Sequence, residues 1–258
     1  MKKIISLSLI AVSALVLTTG CASHNEKMEH SSSHKAHWGY KGEVGPSHWS
    51  QLNEKFSMCS KGNMQSPINI IASEDKNLDA LGFDYNTKSS NVINNGHTVQ
   101  VNIQAGSTVS IDNMKYELKQ FHFHTPSENN INGKEYPLEA HFVHATKEGK
   151  LAVVAVMFEY GEENPIINKI WSKFPLELNH KESLQLSQDD INAILPNDKE
   201  YYKFIGSLTT PPCSENVKWN VFKKSVTISK EQVEKFFDIY EHTNNRPIQK
   251  TNNRVIIK

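Results

Sequence analysis

Gln120-Phe121-His122-Phe123-His124 alternates polar and aromatic residues, and alternation with period two marks a β-strand with one buried face. On such a strand His122 and His124 project to one side while Phe121 and Phe123 pack on the other. The segment from Thr125 to Leu138 holds Pro126 and the polar turn Asn130-Ile131-Asn132-Gly133-Lys134, which predicts a loop returning the chain on a neighbouring antiparallel strand. That return sets Glu139-Ala140-His141-Phe142-Val143 beside the first run, with His141 next to the histidine pair. Three imidazoles on one face can hold a zinc ion and leave its fourth position open, as catalytic zinc sites do and closed structural sites do not. Glu139 shares the face of His141 and can accept the proton on the ring nitrogen turned away from the metal. A single histidine on an apolar strand is more often a core residue. A His-x-His pair followed by a third histidine, with a carboxylate two residues before it, favours the metal reading.

The rest of the chain frames this site. Its 258 residues suffice for one β-rich domain with a substantial core. Alternating segments run over Val92 to Asn94, His97 to Ile103, Lys115 to His124, Ala140 to Ala145, Leu151 to Phe158 and Lys218 to Phe222. They predict a mainly β fold built on a large twisted, mostly antiparallel sheet of about ten strands. Helices are few and peripheral. Asn164-Pro165 caps one leading into Ile166 to Lys173, and Ser229-Lys230-Glu231-Gln232 is a capping box opening another that runs to about Tyr240. Basic and acidic residues balance at 28 each, so no basic field points to nucleic acid.

The N-terminus carries Lys2 and Lys3, an apolar run from Ile4 to Leu17, and small residues before Cys21, the pattern of a bacterial export signal over residues 1–20 rather than a membrane span. Gly20-Cys21 is similar to a lipoprotein processing site, which makes Cys21 a lipidation candidate; conventional cleavage is the alternative. Residues 21–36 lack any apolar period and read as a flexible polar tether. The expected location is the periplasm or cell envelope of a bacterium, with or without a lipid anchor in the membrane.

From about His37-Trp38-Gly39-Tyr40 to Val255-Ile256-Ile257 the chain resembles the α-class carbonic anhydrases, most closely the secreted bacterial branch. The residues that carry the resemblance are Gly45-Pro46-Ser47-His48-Trp49, Gln65-Ser66-Pro67-Ile68-Asn69-Ile70, Asn94-Asn95-Gly96-His97, Gln120 to Glu128, Glu139 to His144, Gly206-Ser207-Leu208-Thr209-Thr210-Pro211-Pro212 and Asn244-Asn245-Arg246-Pro247-Ile248-Gln249, in the family's order. It implies a catalytic domain over 37–258, one zinc ion on His122, His124 and His141, and reversible hydration of carbon dioxide to bicarbonate and a proton. Three neutral imidazoles leave the ion's charge intact, which brings the pKa of a bound water to about 7; the source of that figure is this enzyme family.

The same resemblance assigns the neighbouring roles. Thr209 matches the threonine that accepts a hydrogen bond from the nucleophile, and Glu128 the carboxylate that takes the threonine's own proton; a hydroxyl with a single proton to give must then act as acceptor on its other side. Val143, Val153, Leu208 and Trp219 match the apolar wall for carbon dioxide, and Thr210 a position beside bicarbonate. His97 matches the proton shuttle, a task that suits a group with an ordinary pKa of about 6.5. Gln120 matches the residue that orients the first zinc histidine, and a backbone carbonyl near Asn244 is expected to orient His124. Cys59 and Cys213 match a disulfide pair, chemically reasonable in an oxidising compartment. The resemblance also admits a homodimer. Two rivals stand beside this reading: a zinc hydrolase acting on esters, and a binding module that keeps the fold without the chemistry. Retention of His122, His124, His141, Glu128 and Thr209 argues against the second.

Overall fold

The computed structural model describes residues 37–258; the export signal over 1–20, Cys21 and the tether over 21–36 lie outside them. Thirteen strands occur among the described residues: β1 (Asn69–Ile70), β2 (Gly82–Asp84), β3 (Ser89–Asn94), β4 (Val99–Ile103), β5 (Thr108–Ile111), β6 (Met114–His124), β7 (Asn130–Ile131), β8 (Leu138–Ala145), β9 (Leu151–Tyr160), β10 (Lys181–Ser183), β11 (Tyr201–Ser207), β12 (Glu215–Phe222) and β13 (Val226–Ile228). The helices are α1 (Trp49–Leu52), α2 (Met58–Lys61), α3 (Pro165–Trp171), α4 (Gln188–Ala193) and α5 (Lys230–Tyr240).

Eleven of the strands form one sheet, whose central path runs β10-β3-β4-β6-β8-β9-β12-β11. Most neighbours are antiparallel, but β9 receives both β12 and β13 in parallel. The loop after β6 does return the chain antiparallel. In the β6–β8 ladder His122 stands directly opposite His141, and His124 opposite Glu139. One sequence expectation needs correction: His97 does not lie on a strand. Asn95 Oδ1 accepts from the backbone N–H groups of both His97 and Thr98, at 2.9 Å each, and this side-chain turn holds His97 off the ladder until Val99.

The two faces of β6 divide as alternation requires. Phe121 and Phe123 are fully buried in the main apolar core; Phe123 meets Trp171 of α3 edge-on at 5.0 Å, and Trp171 meets Phe236 of α5 at 5.3 Å. Both helices begin where their caps predict. Asn164 Oδ1 accepts from the N–H groups of Ile166 and Ile167, and Ser229 with Gln232 forms a reciprocal box. A smaller cluster containing Val153, Phe204, Trp219 and Ile256 fills the other face, with Val143 and Leu208 packed against it.

A third, small cluster joins Trp49 to Cys59 and Cys213, which form a disulfide across 154 positions of sequence. Closing so long a loop restricts the unfolded chain, worth at most roughly 5 kcal/mol in the loop-entropy model.

His144 of β8 is fully buried, with Nε2 2.6 Å from the Tyr85 hydroxyl. Its Nδ1 has no aligned partner, although the carbonyls of Ala152 and Phe142 lie close enough to favour a proton weakly. Burial wins and lowers the pKa to about 3. In the unfolded chain the ring titrates near its ordinary value of about 6.5, so between roughly pH 6.5 and 3 the unfolded state holds a proton that the folded state refuses. Stability due to His144 is therefore full above that window and is lost as the pH falls through it. In denaturant titrations, His144→Gln should reduce the acid slope of unfolding free energy by up to about 1.4 kcal/mol per pH unit; an unchanged slope would contradict the assignment.

Candidate active site

The three histidines converge. A single ring nitrogen from each of His122, His124 and His141 lies within 4.8 Å of the other two, with ring centroids 5.0 Å apart for His122 and His124, 5.3 Å for His122 and His141 and 4.7 Å for His124 and His141. Each ring's other nitrogen has an oxygen beside it. His122 Nδ1 donates to Gln120 Oε1 at 2.9 Å, and His124 Nδ1 donates to the carbonyl of Asn244 at 2.7 Å. His141 Nε2 stands 3.0 Å from Glu139 Oε1, a contact close in distance but off the line of the N–H. These contacts fix the tautomers, so Nε2, Nε2 and Nδ1 face the common centre as bare lone pairs.

A zinc ion fits this donor set. His124 Nε2 is buried and has no hydrogen-bond partner, a state costing about 1–3 kcal/mol unless something binds it. Burial and the neighbouring histidines hold His122 well below its usual pKa, and burial with His124 does the same to His141; burial takes His124 to about 4. All three rings are thus neutral at physiological pH, the form a metal requires.

Two buried carboxylates flank the rings. Glu128 Oε2 lies 3.4 Å from His124 Nε2 and 3.8 Å from His141 Nδ1, while Oε1 accepts from the backbone N–H of Arg246 at 2.8 Å. Desolvation pushes Glu128 up to about 8, opposed by the Thr209 hydroxyl and the Arg246 N–H. Thr209 is near enough to favour the ionised carboxylate, yet Oε2 has no aligned hydrogen bond. Glu139 is pushed to about 7 by burial, opposed by Asn129; its oxygens accept from the N–H groups of Glu128 and Asn129 and from Asn129 Nδ2, all at 2.8 Å. A dication at the centre would favour the charged form of both.

Thr209 sits in the turn after β11. Leu208 N–H donates to Ser214 O at 2.9 Å, and Cys213 N–H to Thr210 O at 2.8 Å. Ser66 and Ser207 exchange backbone-to-hydroxyl hydrogen bonds at 2.9 and 3.1 Å, and Gln65 Nε2 donates to Cys213 O at 3.0 Å. Arg246 completes the brace. Its guanidinium donates to Gln65 Oε1, Ser66 O and Cys59 O and lies 5.6 Å from the Trp49 ring, so one buried cation ties the disulfide to the segment that carries Glu128's backbone donor. Sequence reasoning quoted Arg246 within a motif and gave it no task. A lone arginine before proline carries no local sign that it will be buried.

Val143, Val153 and Trp219 form a row across β8, β9 and β12 in direct register. The Trp219 ring stands edge-on to His141 at 4.9 Å, and its Nε1–H donates to Ser207 O at 3.0 Å. A cavity of about 110 Å³ reaches two of the histidines, lined in part by His122, His124, Thr210, Gln120, His97 and Tyr40. At its mouth His97 stacks flat on Trp38, with ring centroids 3.6 Å apart and planes 8° from parallel. The sequence reading assigned no role to Trp38 or Tyr40, although their place in an aromatic run beside a histidine was the available signal.

Residues 44–258 match the model of the eukaryotic-type carbonic anhydrase family. The chain belongs to the α-carbonic anhydrases. A carbonic anhydrase of Pectobacterium atrosepticum is 45% identical over 227 residues, covering 88% of this chain and 93% of that protein; that of Klebsiella pneumoniae is 46% identical over 225 residues, covering 86% and 91%. The structure of the α-carbonic anhydrase of Thermovibrio ammonificans, solved with the inhibitor sulfanilamide, superposes with a TM-score of 0.83 at 45% identity, covering 86% of this chain and 99% of that one. The chain is therefore a carbonic anhydrase in family and fold, with three histidines placed for a metal.

Gln120→Ala should leave the fold intact and weaken zinc binding by on the order of tenfold to a hundredfold, the usual consequence of freeing a metal-ligating ring. Competition with a chromophoric chelator measures it, and unaltered affinity would contradict the orienting contact.

Proposed function

We propose that this chain hydrates carbon dioxide reversibly to bicarbonate and a proton, using one zinc ion held by His122, His124 and His141. The observation that carries the reading is the convergence of three neutral imidazoles, with the remaining nitrogens of His122 and His124 hydrogen-bonded to Gln120 and Asn244 and that of His141 set 3.0 Å from Glu139. Zinc bound there would supply a Lewis acid that makes a bound water a nucleophile near neutral pH.

The protein's own groups then set direction and access. Thr209 gives its one proton to Glu128 and so presents a lone pair, fixing the orientation of the nucleophile. Arg246 supports the charged form of Glu128 through its backbone N–H. Val143, Val153, Leu208 and Trp219 offer a wall without donors aimed at the substrate, which suits a small apolar molecule better than an ester with polar arms. Thr210 lines the cavity, where its hydroxyl donates to departing bicarbonate.

Proton export falls to His97. Stacked on Trp38 it is a poor acceptor, since burial first and then the charges of His37 and His242 lower its pKa to about 4. Acceptance at neutral pH requires the ring to leave the Trp38 face for more solvated space. The setting is the cell envelope: the apolar leader over residues 1–20 and the Cys59–Cys213 disulfide both support export, with Cys21 as the lipid attachment point.

Two variants separate metal binding from chemistry. His141→Ala should lose most bound zinc and nearly all hydration. Thr209→Ala should keep its zinc and lose hydration by on the order of a hundredfold, the scale for removing one preorganised hydrogen-bonding partner at a reacting atom. Normal turnover in zinc-loaded Thr209→Ala would overturn the role given to the threonine.

A further inference from the structure

The loop between α3 and β10 carries an apolar feature that the candidate active site does not use. Leu176 is 81% exposed and Leu178 63%, which makes them the two most exposed large apolar side chains among the described residues. They stand two positions apart in Phe174-Pro175-Leu176-Glu177-Leu178. Single apolar residues on a surface are ordinary, whereas a pair held out on one braced loop marks a contact surface. The brace comes from β3 and the turn that follows it. Asn94 Nδ2 donates to the carbonyl of Leu176 at 3.2 Å, the N–H of Asn179 donates to the carbonyl of Asn94 at 2.7 Å, and Pro175 is buried. Leu178 lies against the turn that leads into His97: a methyl group built on Gly96 would stand 2.7 Å from Leu178 Cδ1. The described residues also begin here, because Trp38 stacks on the His97 ring at 3.6 Å. The polar stretch 21–36 and the candidate anchor at Cys21 therefore join the domain beside the turn on which Leu178 rests. A tether of that length and composition spans roughly 20 Å.

We propose that Leu176 and Leu178 dock the domain on a lipid bilayer; the inference rests on the cell-envelope reading above and is independent of the carbon dioxide reading. The two side chains enter the boundary between headgroups and acyl chains, while the Glu177 carboxylate between them stays hydrated and keeps the insertion shallow. Exposed Lys173 and Lys181 flank the loop and can face anionic headgroups. Two leucines alone give weak, reversible attachment, which becomes persistent when a second attachment holds the domain near the surface. A chain joined to the membrane through residues 21–36 supplies that second attachment from the same side of the domain. Docking in this way also fixes orientation, because the braced turn continues into His97, which lines the cavity.

The test couples the chain from Cys21 onward, through that thiol, to a maleimide lipid in vesicles of phosphatidylethanolamine and phosphatidylglycerol; the other two cysteines are closed in the disulfide. Coupling supplies the attachment whether or not a cell lipidates Cys21, so failure of the anchor reading and failure of the docking proposal are separate results. The added fluorescence of Leu176→Trp over wild type should shift to shorter wavelength on the vesicles and be quenched by lipids brominated in their acyl chains. Ile71→Trp, at a position 58% exposed after β1, should show neither effect. Adding Leu178→Ser to Leu176→Trp should lower the ratio of docked to undocked chain, read from the quenching, by about tenfold, the effect of withdrawing one leucine from an apolar medium. Leu176→Trp quenched no more than Ile71→Trp would overturn the proposal. So would an unquenched chain that sediments as a dimer in solution and becomes a monomer on Leu176→Ser, which would assign the loop to a second copy.

Discussion

Everything in this structure depends on keeping three imidazoles close together, buried and uncharged. Such a cluster is unfavourable in isolation: each ring loses hydration, and protonation of any one would set its charge against the others. The fold meets that demand by setting an acceptor oxygen beside every ring on the side away from the centre. Gln120 and Glu139 each serve from the strand of the histidine they face, and the Asn244 carbonyl from a segment more than a hundred residues distant in sequence. The remaining nitrogens are left with a shared need that a cation satisfies.

The sheet makes this convergence possible. Register between β6 and β8 places His122 opposite His141, and a slip of one residue would turn the ligands into the aromatic core and the phenylalanines out. Phe121 and Phe123, packed against α3 and α5, therefore fix the ligand face as firmly as any polar contact does. On the same sheet the Val143, Val153 and Trp219 row follows from the β8–β9–β12 ladder, including its parallel pairing. Arg246 and the disulfide brace the turn bearing Thr209 from outside the sheet, so the metal face and the hydroxyl above it are held by separate parts of the chain.

Much of this was legible in the chain. Alternation in β6 and most of β8 revealed strands and faces together, whereas β9 is a continuous apolar run buried from Ala152 to Phe158, and the caps at Asn164 and Ser229 located the starts of α3 and α5. The less visible parts are set by distant partners. Strand β10 is exposed at all three positions, so it has no apolar alternation and exists through its pairing with β3. Strand β7 lies within the loop after β6 and is ordered by parallel pairing with β1. Helix α4 was overlooked although Ser187 and Asp190 form a capping box, because its six residues leave little room for a helical apolar period. His97 was placed on a strand by its neighbours' apolar alternation, whereas the Asn95 side chain outcompetes the ladder for its N–H. The burial of Arg246 and the stacking of Trp38 on His97 are tertiary facts with no local signature.

The most direct test of the central claim is stopped-flow hydration of carbon dioxide by the purified chain, stripped of metal and then titrated with zinc. The account predicts no activity without metal and a linear rise that ends at one zinc per chain. Full activity in the stripped protein, or none after one equivalent of zinc is bound, would contradict it.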